Sequence, residues 1–321
     1  MASTTPQDTR GIAGGASAAR PAKRSTKRST KVPERVRLTG RRWWAEVGWR
    51  HVVGAVAIAF AVFPILYIIS AAFNPIGSVG STDLIPRAFS LVHFEALLTD
   101  PNRPFLRWFA NTMVICTVVT VAQVFCSALA AYAFSRFRFK GRRGGLLSLL
   151  LIQMFPQFLA AVALFTMFTE IGDVVPGVGL NTLLGYGLVL MGGALGQVWL
   201  IKGFFDTVPK ELDEAAVMDG AGHATIYFRI ILPLIRPILA VTGLLAFIGI
   251  IGEFLLASIF LTGVSNKTLA VGLFGIIDAD RSNNLGVFAA GALMTALPVV
   301  LLFQYLQRYI VGGLTSGAVK G

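Results

Sequence analysis

Six stretches of about twenty apolar residues recur along this chain, and they restrict its fold more than any other feature. They run over 52–73, 109–134, 146–168, 183–201, 238–261 and 287–306. An α-helix rises about 1.5 Å per residue, so each stretch is long enough to cross roughly 30 Å of hydrocarbon. No water is at hand there for backbone N–H and C=O groups, so a spanning segment of this kind has to be helical. The mean hydropathy of +0.71 agrees. With 55% apolar and 14% charged residues, a water-soluble domain would be short of polar surface. The expected fold is an all-α membrane protein of six transmembrane helices.

The remaining charge is unevenly placed. Of the 28 Lys and Arg, twelve precede residue 51, five lie in 135–145 (Arg136, Arg138, Lys140, Arg142, Arg143), four in 202–237 and two beyond 306. The alternate connections hold only Arg87, Arg103, Arg107, Lys267 and Arg281. Basic residues collect on the cytoplasmic side. Both termini and the 202–237 segment are therefore expected in the cytoplasm, in a multi-pass plasma-membrane protein. Residues 1–50 set their twelve bases against Asp8, Glu34 and Glu46, which is nine of the net +12. That segment has too little apolar content to fold and reads as a disordered cytoplasmic tail, with 51–321 as the membrane domain. Anionic membrane lipid is the partner its charge suits, and Trp43, Trp44 and Trp49 suit the headgroup interface. The run from Arg136 to Arg143 reads as a topology anchor.

Catalytic machinery is missing. No Gly-x-x-x-x-Gly-Lys-Ser/Thr loop occurs, so the chain is not expected to hydrolyse ATP. His51, His93 and His223 are scattered, and Cys116 and Cys126 share one apolar stretch, which gives neither a metal site nor a disulfide framework. No nucleophile–base pair or dinucleotide fingerprint is present. The chain reads as a non-enzyme without cofactors, drawing energy from a partner or an ion gradient.

Several single residues stand out. Glu253 is the one acid inside an apolar stretch. An intramembrane carboxylate is costly and marks a pathway, a conformational role or a structural pair. No base in its own span can neutralise it, so its partner belongs to another helix, another subunit or water. Pro156, between Gln153 and Gln157, predicts a kink with polar groups turned inward. Gly185, Gly187, Gly192, Gly193 and Gly196 crowd the fourth stretch and favour close helix packing. Residues 74–108 read as a small cap on the outer face, 262–286 as an outer loop, and the glycine-rich end after Arg308 as a frayed terminus.

The polar segment 202–237 reads as two short helices with a tight turn. Pro209 suits a helix start, and Glu211, Asp213 and Glu214 lie at the positive end of the helix dipole. Ala215 and Ala216 leave a bare patch that another surface could approach. Gly220 can take the left-handed conformation that ends a helix, and a second amphipathic helix runs from His223 until Pro233 breaks it. Ala216 and Gly220 also have the spacing of a DNA-binding helix-turn-helix. Glu211, Asp213, Glu214 and Asp219 would repel phosphate, so nucleic acid is not an expected partner.

Glu214-Ala215-Ala216, Gly220, and then Ile230, Leu232 and Pro233 resemble the EAA loop of ABC-importer permeases. The likeness extends to Phe63-Pro64, Leu84-Ile85-Pro86, Ala131-Tyr-Ala-Phe-Ser-Arg136, Gln153-Met-Phe-Pro156, Gly179-Leu-Asn-Thr182, Thr268-Leu-Ala-Val-Gly272 and the ending Val311–Gly321. Together these are similar to the smaller permease of maltose/maltodextrin importers. The resemblance implies a type I permease fold and ATP-driven, alternating-access sugar uptake. It implies as partners a second, larger permease, two ATP-binding subunits that hold ATP and Mg, and an extracytoplasmic sugar-binding protein. Glu214, Ala215, Ala216 and Gly220 would couple to one ATPase, residues 312–321 would reach between the ATPases, and 262–286 would face the binding protein. The sugar site of that type lies mainly on the other permease, so the resemblance names no sugar ligand here. Another oligosaccharide such as trehalose, or an ion-driven secondary transporter, are the alternative readings.

Overall fold

The computed structural model describes residues 40–76 and 88–318. Most of the basic tail, the Leu84-Ile85-Pro86 motif, Arg87 and the last three residues lie outside the described residues. Among the described residues all regular structure is helical. Four helices are apolar and long enough to cross a membrane alone, and two bent helix pairs raise the number to six if each pair is one span.

The described residues fall into two units divided between Ala57 and Ile58. The first is a helix start, in which a π-helical turn at Trp44–Gly48 leads into α1, Trp49–Phe73. There the Trp43 ring meets Trp44 edge-on at 5.2 Å and stacks on His51 at 5.7 Å.

The second unit holds the rest. Helix α2 (Val92–Thr99) is short, and α3 (Phe105–Arg136) is the long central helix. Next come α4 (Arg142–Gln153), α5 (Gln157–Val174) and α6 (Leu183–Phe205), the last with a short 3-10 turn at Met191–Gly193. Helix α3 is buried along one face by small and polar residues, among them Thr112, Cys116, Ser127, Ala128 and Ala131. Small side chains let α6 and later helices approach it closely where lipid gives no hydrophobic drive. The same device joins α1 to the last helix, where Ala71 and Ala72 meet Ala289 and Ala290.

The kink expected at Pro156 is present, and three other expectations from the sequence are corrected here. The third apolar stretch is not one helix. After Gln153 the chain turns by 95° before α5, because Pro156 has no N–H to continue the ladder and its ring crowds the preceding turn. The fifth stretch also breaks. Helix α8 (His223–Leu234) bends 77° into α9 (Arg236–Ile251), which stops at Gly252, and α10 (Leu255–Phe260) begins two residues after Glu253. Helix α8 ends one residue past Pro233, where the sequence places the break, and the bend falls at Ile235; Pro237 sits in the first turn of α9, where the missing N–H costs nothing. The 262–286 segment is not a plain loop but holds a helix, α11 (Leu269–Ala279), after a short 3-10 turn at Val264–Asn266. Its Leu269, Leu273 and Ile276 pack with Leu97, Phe105 and Trp108 in one buried cluster. The final helix, α12 (Leu285–Ala318), carries the glycine-rich end in helical form instead of a frayed one.

Candidate functional site

The 202–237 loop is built as its residues dictate. Helix α7 (Glu211–Met218) starts one residue after Lys210, whose carbonyl accepts from the N–H groups of Asp213 and Glu214, both at 3.0 Å. Pro209 precedes it and three acids fill its first turn. At the other end the Gly220 N–H donates to Val217 O and the Ala221 N–H to Ala216 O, both at 2.9 Å. This is the double closure of a Schellman motif, and it needs the φ of +82° that Gly220 adopts. A Cβ there would meet nothing within 4 Å, so backbone conformation, not crowding, is what calls for glycine.

Ala215 and Ala216 do not form a common patch. Ala216 is buried against Val208, Phe205, Ile226 and Tyr227, so it seats the loop on the subunit's own core. A helix turns about 100° per residue, so neighbouring alanines diverge. The outward face consists of Leu212, Glu214, Ala215, Val217 and Met218, the last 87% exposed. Met218 and Val217 went unnoticed in the sequence, although two bare apolar side chains beside a turn glycine are a readable signal.

Two charged clusters fix this loop to the transmembrane helices. Arg136, at the end of α3, has Nε 2.6 Å from Asp213 Oδ2 and donates from Nη2 to Val208 O at 3.0 Å. Its side chain is 5% exposed and that of Asp213 17%. Beside it, Ser135 Oγ and Lys202 Nζ both donate to the Asp206 carboxylate, each at 2.6 Å. Arg136 is thus more than a topology anchor. Burial pushes the Asp213 carboxyl up and Glu214 adds to this; Arg136 and Lys210 oppose it, but the net position stays raised. Burial would raise Asp206 as well, yet the hydrogen bonds from Lys202 and Ser135, with the charges of Lys202 and Arg142, hold it below the usual carboxylate range.

Between the spans lies a cleft of about 960 Å³. Its polar lining is Gln123, Gln153, Gln197, Thr242 and Glu253, among apolar walls and Gly192, Gly193 and Gly196. Glu253 finds its partners within this chain. Tyr186 of α6 donates its hydroxyl to Oε2 at 2.7 Å, and the N–H groups of Leu256 and Ala257 donate to Oε1 and Oε2 at 2.7 and 2.9 Å. The carboxylate therefore caps α10 and satisfies donors that a helix break inside hydrocarbon would otherwise strand. Gln123 donates to Leu190 O at 2.6 Å and accepts from Gln197 at 2.8 Å. The sequence reading passed over Gln123 and Gln197, though an amide in an apolar stretch is itself a signal.

At the opposite end of α3 from Arg136, Asn181 (φ 58°) accepts the Gly263 N–H on its Oδ1 at 2.8 Å and the Asn266 amide on its carbonyl at 2.7 Å. Asn111 donates to Ser265 O and Lys267 O, and Trp108 to Val264 O. These bonds hold the 262–268 turn on α3. Among the described residues no group of three His, Cys, Asp or Glu side chains is placed to hold a metal.

The chain is similar to known proteins along most of its length. Residues 123–315 match the family described as binding-protein-dependent transport system inner membrane component. Identity is 38% over 282 residues to the maltose/maltodextrin transport system permease protein MalG of Vibrio vulnificus strain YJ016, covering 84% of this chain and 95% of that protein. It is 39% over 272 residues to the galactooligosaccharides transport system permease protein GanQ of Bacillus subtilis strain 168, covering 84% and 94%. A chain of a bacterial ABC transporter involved in the import of the acidic polysaccharide alginate has the same fold, with a TM-score of 0.70 at 22% identity, covering 85% of this chain and 99% of that one.

Proposed function

The chain belongs to the family of binding-protein-dependent transport system inner membrane components, and from that premise we propose that it is the smaller permease of an ATP-driven importer of maltose and maltodextrins. It is a multi-pass membrane subunit, not an enzyme, and works with ATP-hydrolysing and binding-protein partners. In the full reading those partners are a second, larger permease, two ATP-binding subunits that hold ATP and Mg, and an extracytoplasmic sugar-binding protein. Both termini are cytoplasmic, consistent with the basic residues on that side.

The observation that carries the coupling role is the outward face of α7. A water-facing loop has no reason of its own to expose Val217 and Met218 beside a rigid turn, and such a rim is what a docking contact requires. Glu214 and Ala215 belong to that contact, while Ala216 and Gly220 set its shape. ATP-driven closure of the partner pair would displace α7 as a rigid piece. Because Ala216 keys it into the core and Asp213 ties it to Arg136, the displacement passes to α3 and α6 and turns the cleft between inner and outer access. Glu253 holds the α9–α10 break through that motion. The 262–286 segment would meet the binding protein.

The galactooligosaccharide permease, at comparable identity, favours a second substrate reading in which the same architecture carries another oligosaccharide. Uptake of radiolabelled maltose in cells lacking this gene, with and without its restoration, separates the two. Trehalose and a galactooligosaccharide run in parallel. Restoration of maltose uptake supports the reading, and a response to one of the other sugars alone transfers it to that sugar.

A further inference from the structure

The family assignment leaves the transmembrane cleft without a role for this chain's own side chains. Two helix breaks border it. One lies between Gln153 and Pro156, the other at Gly252–Phe254, and both Gln153 and Glu253 line the cavity. Irregular backbone at membrane depth is stable only where it is packed in protein or faces a polar cavity. Discontinuous helices of this kind are also a recurrent way of building a ligand site inside a membrane.

The polar groups of the cleft are oriented but incompletely used. Gln153 lies against Gly196 with its side chain exposed to the cleft, and among the described residues its amide makes no hydrogen bond. Gln197 is held by Gln123, which is held by Leu190 O, yet the Gln197 Oε1 has no hydrogen-bond partner. Glu253 is fixed by Tyr186 and two backbone N–H groups. Of the α6 glycines in the lining, Gly193 and Gly196 give room to the Gln123 and Gln153 side chains, and Gly192 leaves open space beside them. No Lys, Arg or His lines the cavity, which disfavours an anion. The sole carboxylate already receives three hydrogen bonds, which disfavours a cation. Neutral amides and one acceptor-only carboxylate among apolar walls suit a ligand with many hydroxyl groups and apolar ring faces. The volume lies at the upper end of the roughly 300–1,000 Å³ typical of small-molecule sites.

We propose that this subunit binds the transported sugar directly in the cleft, with Gln153 and Gln197 as hydroxyl-binding residues and Glu253 as a fixed acceptor in the same lining. The proposal rests on the sugar-importer reading and adds contacts on this chain.

The test uses the whole complex, both permeases with the ATPases and binding protein, in proteoliposomes. Gln153→Met and Gln197→Met keep side-chain length and remove the hydroxyl-binding groups. Each lost contact is expected to raise the KM for uptake by about two- to tenfold. ATP hydrolysis stimulated by sugar-loaded binding protein should stay near wild type, so that more ATP is spent per sugar moved. Gln153→Asn and Gln197→Asn, which retain an amide, should recover part of the loss. Unchanged uptake in both Met variants overturns the proposal. So does an equal fall of uptake and ATP hydrolysis, which a structural role would give, or failure to assemble with the second permease, which would assign the glutamines to that interface. A wild-type complex that moves no sugar overturns the importer reading as well, which keeps the two failures apart.

Discussion

Replacing Arg136 by alanine should uncouple the inner loop from the transmembrane helices. The guanidinium is 5% exposed and pairs at 2.6 Å with a carboxylate that is 17% exposed. Removing one partner of such a pair strands the other charge, at about 3–5 kcal/mol for a buried pair. Here the lower end applies, because Asp213 keeps some solvent access and can take up a proton. A loss of about 3 kcal/mol corresponds to roughly a hundredfold fall in the ratio of seated to unseated loop. Uptake should drop steeply, and the isolated chain should still enter the membrane. The partner variant supplies the control. Arg136→Ala with Asp213→Ala leaves no orphan carboxylate and should be milder than Arg136→Ala alone. The pH dependence has a definite sign. Burial raises Asp213 above its ordinary 3.8, so its charged form costs stability above the raised value and that cost fades as pH falls through it. Arg136 opposes the rise, so its removal enlarges it. The defect of Arg136→Ala should therefore be largest near neutral pH and shrink on acidification. Uptake rates and thermal denaturation of the complex across pH measure this. An Arg136→Ala protein within twofold of wild type, or a double variant worse than the single one, would refute the argument.

Five other substitutions probe the Gly220 turn, the outward face of α7 and the Glu253 cap. Gly220→Val should cost about 1–2 kcal/mol at the left-handed turn and Gly220→Asp less, since Asp tolerates that conformation; both should abolish or sharply reduce transport while leaving membrane insertion intact, as membrane-fraction blots and uptake would record. Met218→Asp lies on the exposed face and should leave thermal stability unchanged while weakening co-purification of the ATPase; unaltered co-purification would count against α7 as the contact. Glu253→Ala strands the Leu256 and Ala257 N–H groups, at about 1–3 kcal/mol each, whereas Tyr186→Phe removes one hydrogen bond worth about 1 kcal/mol; equal melting temperatures for the two would remove the capping role.

The spans, their helical type and the two ends of α7 were legible in the sequence because each depends on local chemistry. Twenty consecutive apolar residues settle their environment by themselves, and a glycine after a helix or a proline just before one acts through its own φ. Glu253 was legible as an anomaly for the same reason: a carboxylate in an apolar run is costly wherever it sits. Its partner was not, because Tyr186 is 67 positions away and the helix break that makes the carboxylate a cap exists only once α9 and α10 are packed. The inward turn of Ala216 likewise depends on where Val208 and Tyr227 come to rest, since two adjacent alanines are equivalent until one face has a neighbour. Arg136 was counted with four other bases that mark the inner side, and only tertiary packing set it opposite Asp213 and buried it. Hydropathy and backbone preference, being properties of short segments, thus determined that this chain is a helical membrane bundle with a stiff inner loop. The pairing of charges and amides across helices was decided by the tertiary structure, because their energies depend on distance and burial that no segment possesses alone.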